Sequence, residues 1–206
     1  MRRTLVEANL HIGLLEKRID ELEEANKHLE RLSTHDPLTG LLNRRGGEEV
    51  LNHHYSILAR DNCEKNNFAV LNLDLDRFKP INDKFGHEVG DQVLKFFGKI
   101  LHKSLRVHGH DAVVRNGGDE FTIILPGCTH DGAINVKQKI KCALADEHFK
   151  NGEVALSLRT SIGVAMARRQ DGEVLLLDEL LRNADASMYK DKAAGRDLRN
   201  SGREFA

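Results

Sequence analysis

Val113-Val114-Arg115-Asn116-Gly117-Gly118-Asp119-Glu120-Phe121-Thr122-Ile123-Ile124-Leu125 is the stretch whose reading decides the fold. Two apolar arms, Val113-Val114 and Phe121 to Leu125, flank Asn116-Gly117. Asn-Gly between such arms is the strongest short-range hairpin signal, because the central turn positions need positive φ. The tip is therefore expected at Asn116-Gly117. With Gly117 and Gly118 adjacent, no side chain keeps another molecule from the backbone. Asp119 and Glu120 then stand together where the second strand begins. An acidic pair alone reads as a solvated turn; a second acidic strand changes that reading.

That strand is Phe68-Ala69-Val70-Leu71-Asn72-Leu73-Asp74-Leu75-Asp76. Its nearly unbroken apolar run suits a strand buried on both faces. It ends in Asp74 and Asp76, which share a face because side chains repeat every second residue. If the two strands are neighbours, Asp74 and Asp119 converge, and carboxylates so placed need a counter-charge. An oxygen-only set suits Mg²⁺ (or Mn²⁺), which takes a few carboxylates and completes its shell with substrate phosphates. The chemistry indicated is phosphoryl or nucleotidyl transfer.

Arg115-Asn116-Gly117-Gly118-Asp119-Glu120-Phe121 resembles the signature of the GGDEF family, the diguanylate cyclases. Five further blocks stand in the family's order. They are Asp36-Pro37-Leu38-Thr39-Gly40-Leu41-Leu42-Asn43-Arg44-Arg45, Asp74-Leu75-Asp76-Arg77-Phe78-Lys79-Pro80-Ile81-Asn82-Asp83 and Gly86-His87-Glu88-Val89-Gly90-Asp91. Ser161-Ile162-Gly163-Val164-Ala165 and Ala184-Asp185-Ala186-Ser187-Met188-Tyr189 follow. The resemblance covers residues 34–198. It implies condensation of two GTP into cyclic di-GMP. Asp74, the Leu75 carbonyl and Asp119 would hold the metal, with Glu120 helping at a second ion. Asp119 would accept the proton, and Lys79 and Arg115 would stabilise charge on the phosphates. Guanine recognition would fall to Asn82 and Asp91, with His87 as a substrate contact. Gly117 and Gly118 would admit the substrate, and Lys192 and Arg196 would hold the triphosphate. From spacing alone, Asn82 and Asp91 are equally two helix caps, Lys79 a snorkelling lysine, and Lys192 and Arg196 an answer to a helix dipole.

Residues 1–33 are a different material. Leu5, Ile12, Ile19 and Asn26 recur every seven, and so do Ala8, Leu15, Leu22 and Leu29 between them. These are a and d positions of a heptad. Isoleucine at a with leucine at d favours two parallel strands, and Asn26 at a fixes register. Arg18 is expected to meet Glu23 of a second copy, and Glu16 its His11. A coil beginning so close to Met1 leaves no room for a sensor ahead of it; members of the family it resembles often carry one upstream of such a helix, so the resemblance implies a sensor domain in a longer parent protein. The domain division expected is a dimerising coiled-coil linker over 1–33 and a catalytic domain over 34–206, with Ser33 to Pro37 as the hinge.

Asn43 reads as the N-cap of a helix to about Arg60, Pro80 and Gly86 bracket a short helix, and another follows from about Glu88. Asp131 to Glu147 reads as a helix, Val154 to Ala167 as strand, and Glu173 to Asp191 as a helix that Gly195 ends. The fold class expected is an α/β (α+β) sandwich with a mostly antiparallel sheet. The resemblance implies similarity to class III nucleotidyl cyclases and the polymerase palm.

A net charge of −1 gives no case for nucleic acid. No apolar run is long enough to span a membrane. Cys63, Cys128 and Cys142 lack metal-ligand spacing and read as thiols of a reducing cytoplasm. Where many family members carry an Arg-x-x-Asp product-inhibition site, this chain has His108-Gly109-His110-Asp111, with Arg106 two residues early. Imidazole lacks the bidentate fork of a guanidinium, so weak or absent product inhibition through this site is expected. Rival readings are a catalytically silent module binding GTP or cyclic di-GMP, a pure dimerisation element, and a cyclase making another cyclic nucleotide. Intact Asp74, Lys79, Asp119 and Glu120 speak against the silent module.

Overall fold

The computed structural model describes residues 2–61, 63–105, 110–170 and 173–200. In chain order its elements are α1 (Arg2–Thr34), β1 (Leu42–Asn43), α2 (Arg44–Arg60), β2 (Phe68–Leu75), α3 (Phe78–Phe85), α4 (His87–Ser104), β3 (Ala112–Gly117), β4 (Glu120–Pro126), α5 (His130–Asp146), β5 (Phe149–Asn151), β6 (Val154–Leu156), β7 (Thr160–Ala167), β8 (Arg169–Gln170), β9 (Glu173–Val174) and α6 (Leu177–Asn200). The main sheet runs β1-β3-β4-β2-β7. Only β1 and β3 pair in parallel; the other neighbours are antiparallel. The mixed α/β architecture and mostly antiparallel sheet are thus as expected.

β2 is buried on both faces because its side chains feed two cores. Ala69, Leu71, Leu73 and Leu75 meet Phe97, Ile100 and Leu101 of α4 and Ile140 of α5 in one. Phe68 and Val70 meet Leu58 of α2 and Leu180 and Ala184 of α6 in the other. Phe97 and Phe121 stand edge to face across the first core, 5.0 Å between centroids. Each contributes about 1.5–3 kcal/mol by leaving water, with up to about 1 kcal/mol more from the ring geometry. Period-two alternation on β2 therefore gives a sheet covered by α3 to α5 on one side and by α2 and α6 on the other.

Local chemistry sets the element ends. Asn43 caps α2, its Oδ1 accepting from Gly46 N–H at 3.0 Å. Thr129 caps α5 in the same way through Gly132 N–H. Gly86, at φ 85°, lets the chain turn between α3 and α4.

Three expectations are corrected. The hairpin tip lies at Gly118-Asp119, two residues later than Asn116-Gly117, with a register shift between Arg115 and Gly117. Asn116 stays in the strand because its Nδ2 donates to Thr122 Oγ1 at 2.9 Å, and Gly118 takes the left-handed φ of 53°. Val154 to Ala167 is not one strand: β6 pairs with β5, and β7 joins the main sheet. Glu173-Val174 pairs with β8, so α6 starts at Leu177; it then passes through Gly195, where an added Cβ would meet nothing within 4 Å.

Candidate active site

The acids converge at one end of the sheet. β2 and β4 are neighbours, and Asp74 lies directly opposite Glu120. Leu75 N–H donates to the Asp119 carbonyl at 3.2 Å. Asp74, Leu75, Asp119 and Glu120 therefore occupy adjoining positions at the strand ends. Asp76 is turned to other work: its carboxylate accepts from Ser161 Oγ at 2.7 Å and its N–H donates to Arg159 O at 2.9 Å.

Among the described residues no group of three or more His, Cys, Asp or Glu side chains is placed to hold a metal by itself. The donors fit a hard ion that takes few protein ligands and relies on phosphate oxygens. A cation is already at the site: Lys192 Nζ lies 2.7 Å from Asp74 Oδ1. So Asp74 is placed where positive charge is accepted. The Lys192 side chain points at the carboxylate rung; that of Arg196 lies outside the described residues, although its backbone continues α6.

On the far side of the strand end, Arg77 takes φ 60° and ψ 33°, the one non-glycine residue with positive φ among those described. This left-handed turn, costing about 1–2 kcal/mol for a residue with a Cβ, swings the chain from β2 into α3. Lys79 stands exposed in the first turn of α3. His87 and Asp91 are exposed on α4. Asn82 is half-buried, and its Oδ1 is sealed without a hydrogen-bond partner. A buried acceptor left unpaired needs a reason. Gly90 supplies the room for it, since a Cβ there would collide with Asn82 Oδ1. Gly90 was not singled out in the sequence, although a glycine inside an amphipathic helix is the signal of such a close approach.

Arg115 is held by bonds within the chain. Its Nη1 donates to both Asp36 carboxylate oxygens, at 3.1 and 3.0 Å. Its Nε and Nη2 donate to the Gly118 carbonyl, at 3.1 and 2.9 Å. The guanidinium is spent on holding the turn that carries Asp119 against the segment after α1. Burial pushes the Asp36 carboxyl up, but hydrogen bonds from the Thr39 hydroxyl and amide, with the bond and charge of Arg115, hold it below the ordinary 3.8. Asn43 completes this joint, its Nδ2 donating to Ser33 O at 2.9 Å and to His35 O at 3.3 Å.

A polar rung lies one step behind the acids. Asn72 and Thr122 are direct cross-strand partners. Asn116 Nδ2 donates to Thr122 Oγ1, Thr122 Oγ1 to Asn72 Oδ1 at 2.9 Å, and Asn72 Nδ2 to Asp185 Oδ1 of α6 at 2.6 Å. His108 and Arg106, of the degenerate inhibition site, lie outside the described residues. Asp111 lines a cavity of about 520 Å³ with His35, Leu41 and His102. No helix among the described residues is long and apolar enough to cross a membrane.

Residues 33–198 match the family described as diguanylate cyclase, GGDEF domain. The chain is 36% identical over 179 residues to the probable diguanylate cyclase DgcC of Escherichia coli, covering 86% of this chain and 45% of that protein. It is 34% identical over 181 residues to the cyclic di-GMP phosphodiesterase NbdA of Pseudomonas aeruginosa, covering 87% of this chain and 22% of that one. The chain thus spans less than half the length of either relative. Its fold is similar to the coiled coil and GGDEF domain of DgcB from Caulobacter crescentus, solved with c-di-GMP. There the TM-score is 0.77 at 25% identity, over 92% of this chain and 95% of that one.

Proposed function

Because the chain belongs to the GGDEF family of diguanylate cyclases, we propose that it condenses two GTP into cyclic di-GMP, releasing two pyrophosphates. In each half-reaction the 3′-oxygen of one GTP forms a bond to the α-phosphorus of the other, the bond to pyrophosphate breaks, and the hydroxyl proton leaves. The observation that supports this most is the pairing of Asp74 with Glu120 beside Asp119, with Lys192 against them.

GGDEF diguanylate cyclases are generally metal-dependent. Asp74, the Leu75 carbonyl, Asp119 and Glu120 would hold Mg²⁺ or Mn²⁺. Bound there, the ion would acidify the 3′-hydroxyl and neutralise charge on the pyrophosphate. The remaining work belongs to the chain's own side chains. Asp119 accepts the proton from the 3′-oxygen. Lys79, and Lys192 with Arg196, hold phosphate oxygens as point charges and a fork. The Asn82 side-chain amide meets the guanine edge, and Asp91 takes the N1 and N2 donors. Adenine has no such donor pair, which favours GTP. Gly117 and Gly118 leave the turn open to the nucleotide, and His87 would contact it. One domain holds one GTP, so ring closure needs two facing domains, brought together by α1 of two copies. The protein would work in the cytoplasm.

The test is turnover of GTP with Mg²⁺ by the purified chain, with ATP in parallel and product identified by mass, beside Asp119→Asn. Cyclic di-GMP from the parent and about 10²–10³-fold less from the variant is the expected result. Bound GTP without product, in a chain shown to be dimeric, would replace this reading with a silent binding module.

A further inference from the structure

Asp74 is neutralised from within the chain. Its carboxylate is 17% exposed and the Lys192 side chain 33%, so the contact is partly shielded from water. It is also prepared by the way α6 is fastened to the sheet. β7 is an edge strand, and α6 satisfies its outward amides: Val164 N–H donates to Ser187 Oγ at 3.1 Å and Ile162 N–H to Asp191 Oδ2 at 2.9 Å. Asp185 takes the bond from Asn72, and Asp191 takes Lys137 at 2.8 Å and Lys141 at 2.7 Å. Gly163 lets the two backbones touch, since a Cβ there would strike Ala184 O and Met188 N. Lys192 follows Asp191 directly, so the stem of its side chain starts from a fixed point.

We infer that Lys192 is a place-holding cation. In the nucleotide-free protein its ammonium occupies the place at Asp74 Oδ1 that the divalent ion takes, and ion binding passes the lysine to the nucleotide's phosphates. This rests on the cyclase reading above. Two cations cannot share one carboxylate oxygen at contact distance without strong repulsion. Lys192, once displaced, is tethered beside the site, and phosphate is the anion that arrives there. The consequence is a reciprocal coupling: phosphate that captures Lys192 strengthens ion binding, and the ion strengthens phosphate binding by the same factor. The ion alone then binds weakly, which keeps the site uncommitted until the nucleotide is present.

Mn²⁺ alone is the probe, titrated by electron paramagnetic resonance into the full chain without nucleotide. Lys192→Met is expected to bind Mn²⁺ about tenfold more tightly than the parent, the effect of removing one competing ion pair of about 1.4 kcal/mol. Its melting temperature should fall below the parent's in EDTA, because Asp74 is left unpaired, and the gap should close on adding Mn²⁺. Lys192→Gln, which keeps a polar stem, should behave likewise and guards against a packing fault in the first variant. Equal or weaker Mn²⁺ binding by both variants overturns the place-holder. Asp74→Asn separates the two readings. If it abolishes Mn²⁺ binding while the lysine variants fail to tighten it, the metal centre stands and the place-holder alone falls. If it leaves Mn²⁺ binding unchanged, both fall.

Discussion

Arg115 and Gly90 show how much of this site depends on contacts within the chain. The Arg115 side chain is 12% exposed and that of Asp36 17%, so losing the arginine leaves a shielded carboxylate without its counter-charge. Arg115→Met should cost about 2–3 kcal/mol at pH 7, less than a fully buried pair, and should lower turnover by freeing the Asp119 turn. The pH dependence has a definite sign. Asp36 titrates lower in the folded chain than its ordinary 3.8, so its contribution is full above that value and is lost as pH falls through the native one. Urea melts of parent and variant should therefore differ by a constant amount above about pH 5 and converge below 3.8. A difference that persists unchanged under acid would show that the arginine acts by packing alone. Gly90→Ala tests the other residue. The new methyl would displace Asn82 Oδ1, so KM for GTP should rise about tenfold or more with a smaller change in kcat, the size of one misplaced polar contact. Equal loss for GTP and for its binding-independent chemical step would argue against a recognition role for Asn82.

At the scale of elements, α6 is the part whose position matters most, because it carries Lys192 to the acids. Gly163→Ala should lift the helix from β7, lowering stability by about 1–3 kcal/mol as overpacking does and lowering activity beyond what the melting curve explains. Elements were legible where local rules govern them. The cap at Asn43, the short helix closed by Gly86 and the buried run of β2 follow from residue type and period. The rest was fixed across the chain. Gly195 reads as a stop by local rules, yet α6 continues, anchored just before it by Asp191 to partners 29, 50 and 54 residues away. Glu173-Val174 looks helical until its strand partner β8 is known. The same holds for the site. The acids were visible as a pattern, because strand period and a glycine turn put them side by side. The pairing of Arg115 with Asp36 was not, since Asp36 stands 79 residues earlier and no periodicity joins them.

At the scale of the whole molecule, the question is what α1 does. Its 33 residues extend about 50 Å, and Leu15, Ile19, Leu22 and Leu29 are 51–61% exposed in the single chain. Arg18 is paired with Glu21 of its own helix at 2.9 Å in the single chain. The side chains of Leu5, Ala8 and Ile12 lie outside the described residues. An apolar a/d seam this exposed is stable in water only when covered, and a second copy in register would cover it. The far end of the helix is not loose: Gly46 admits the Thr34 carbonyl so closely that no Cβ would fit, and Asn43 ties Ser33 and His35 to α2. Pairing two helices would therefore bring two carboxylate rungs to an effective concentration of about millimolar. Replacing Ile19 and Leu22 with Asp should make the chain monomeric by sedimentation. Its specific rate should then be very low at nanomolar protein and rise with concentration, while the parent's stays flat. A monomeric variant with full specific rate at nanomolar concentration would mean that one domain closes the ring by itself, and that the helix serves some purpose other than joining two active sites.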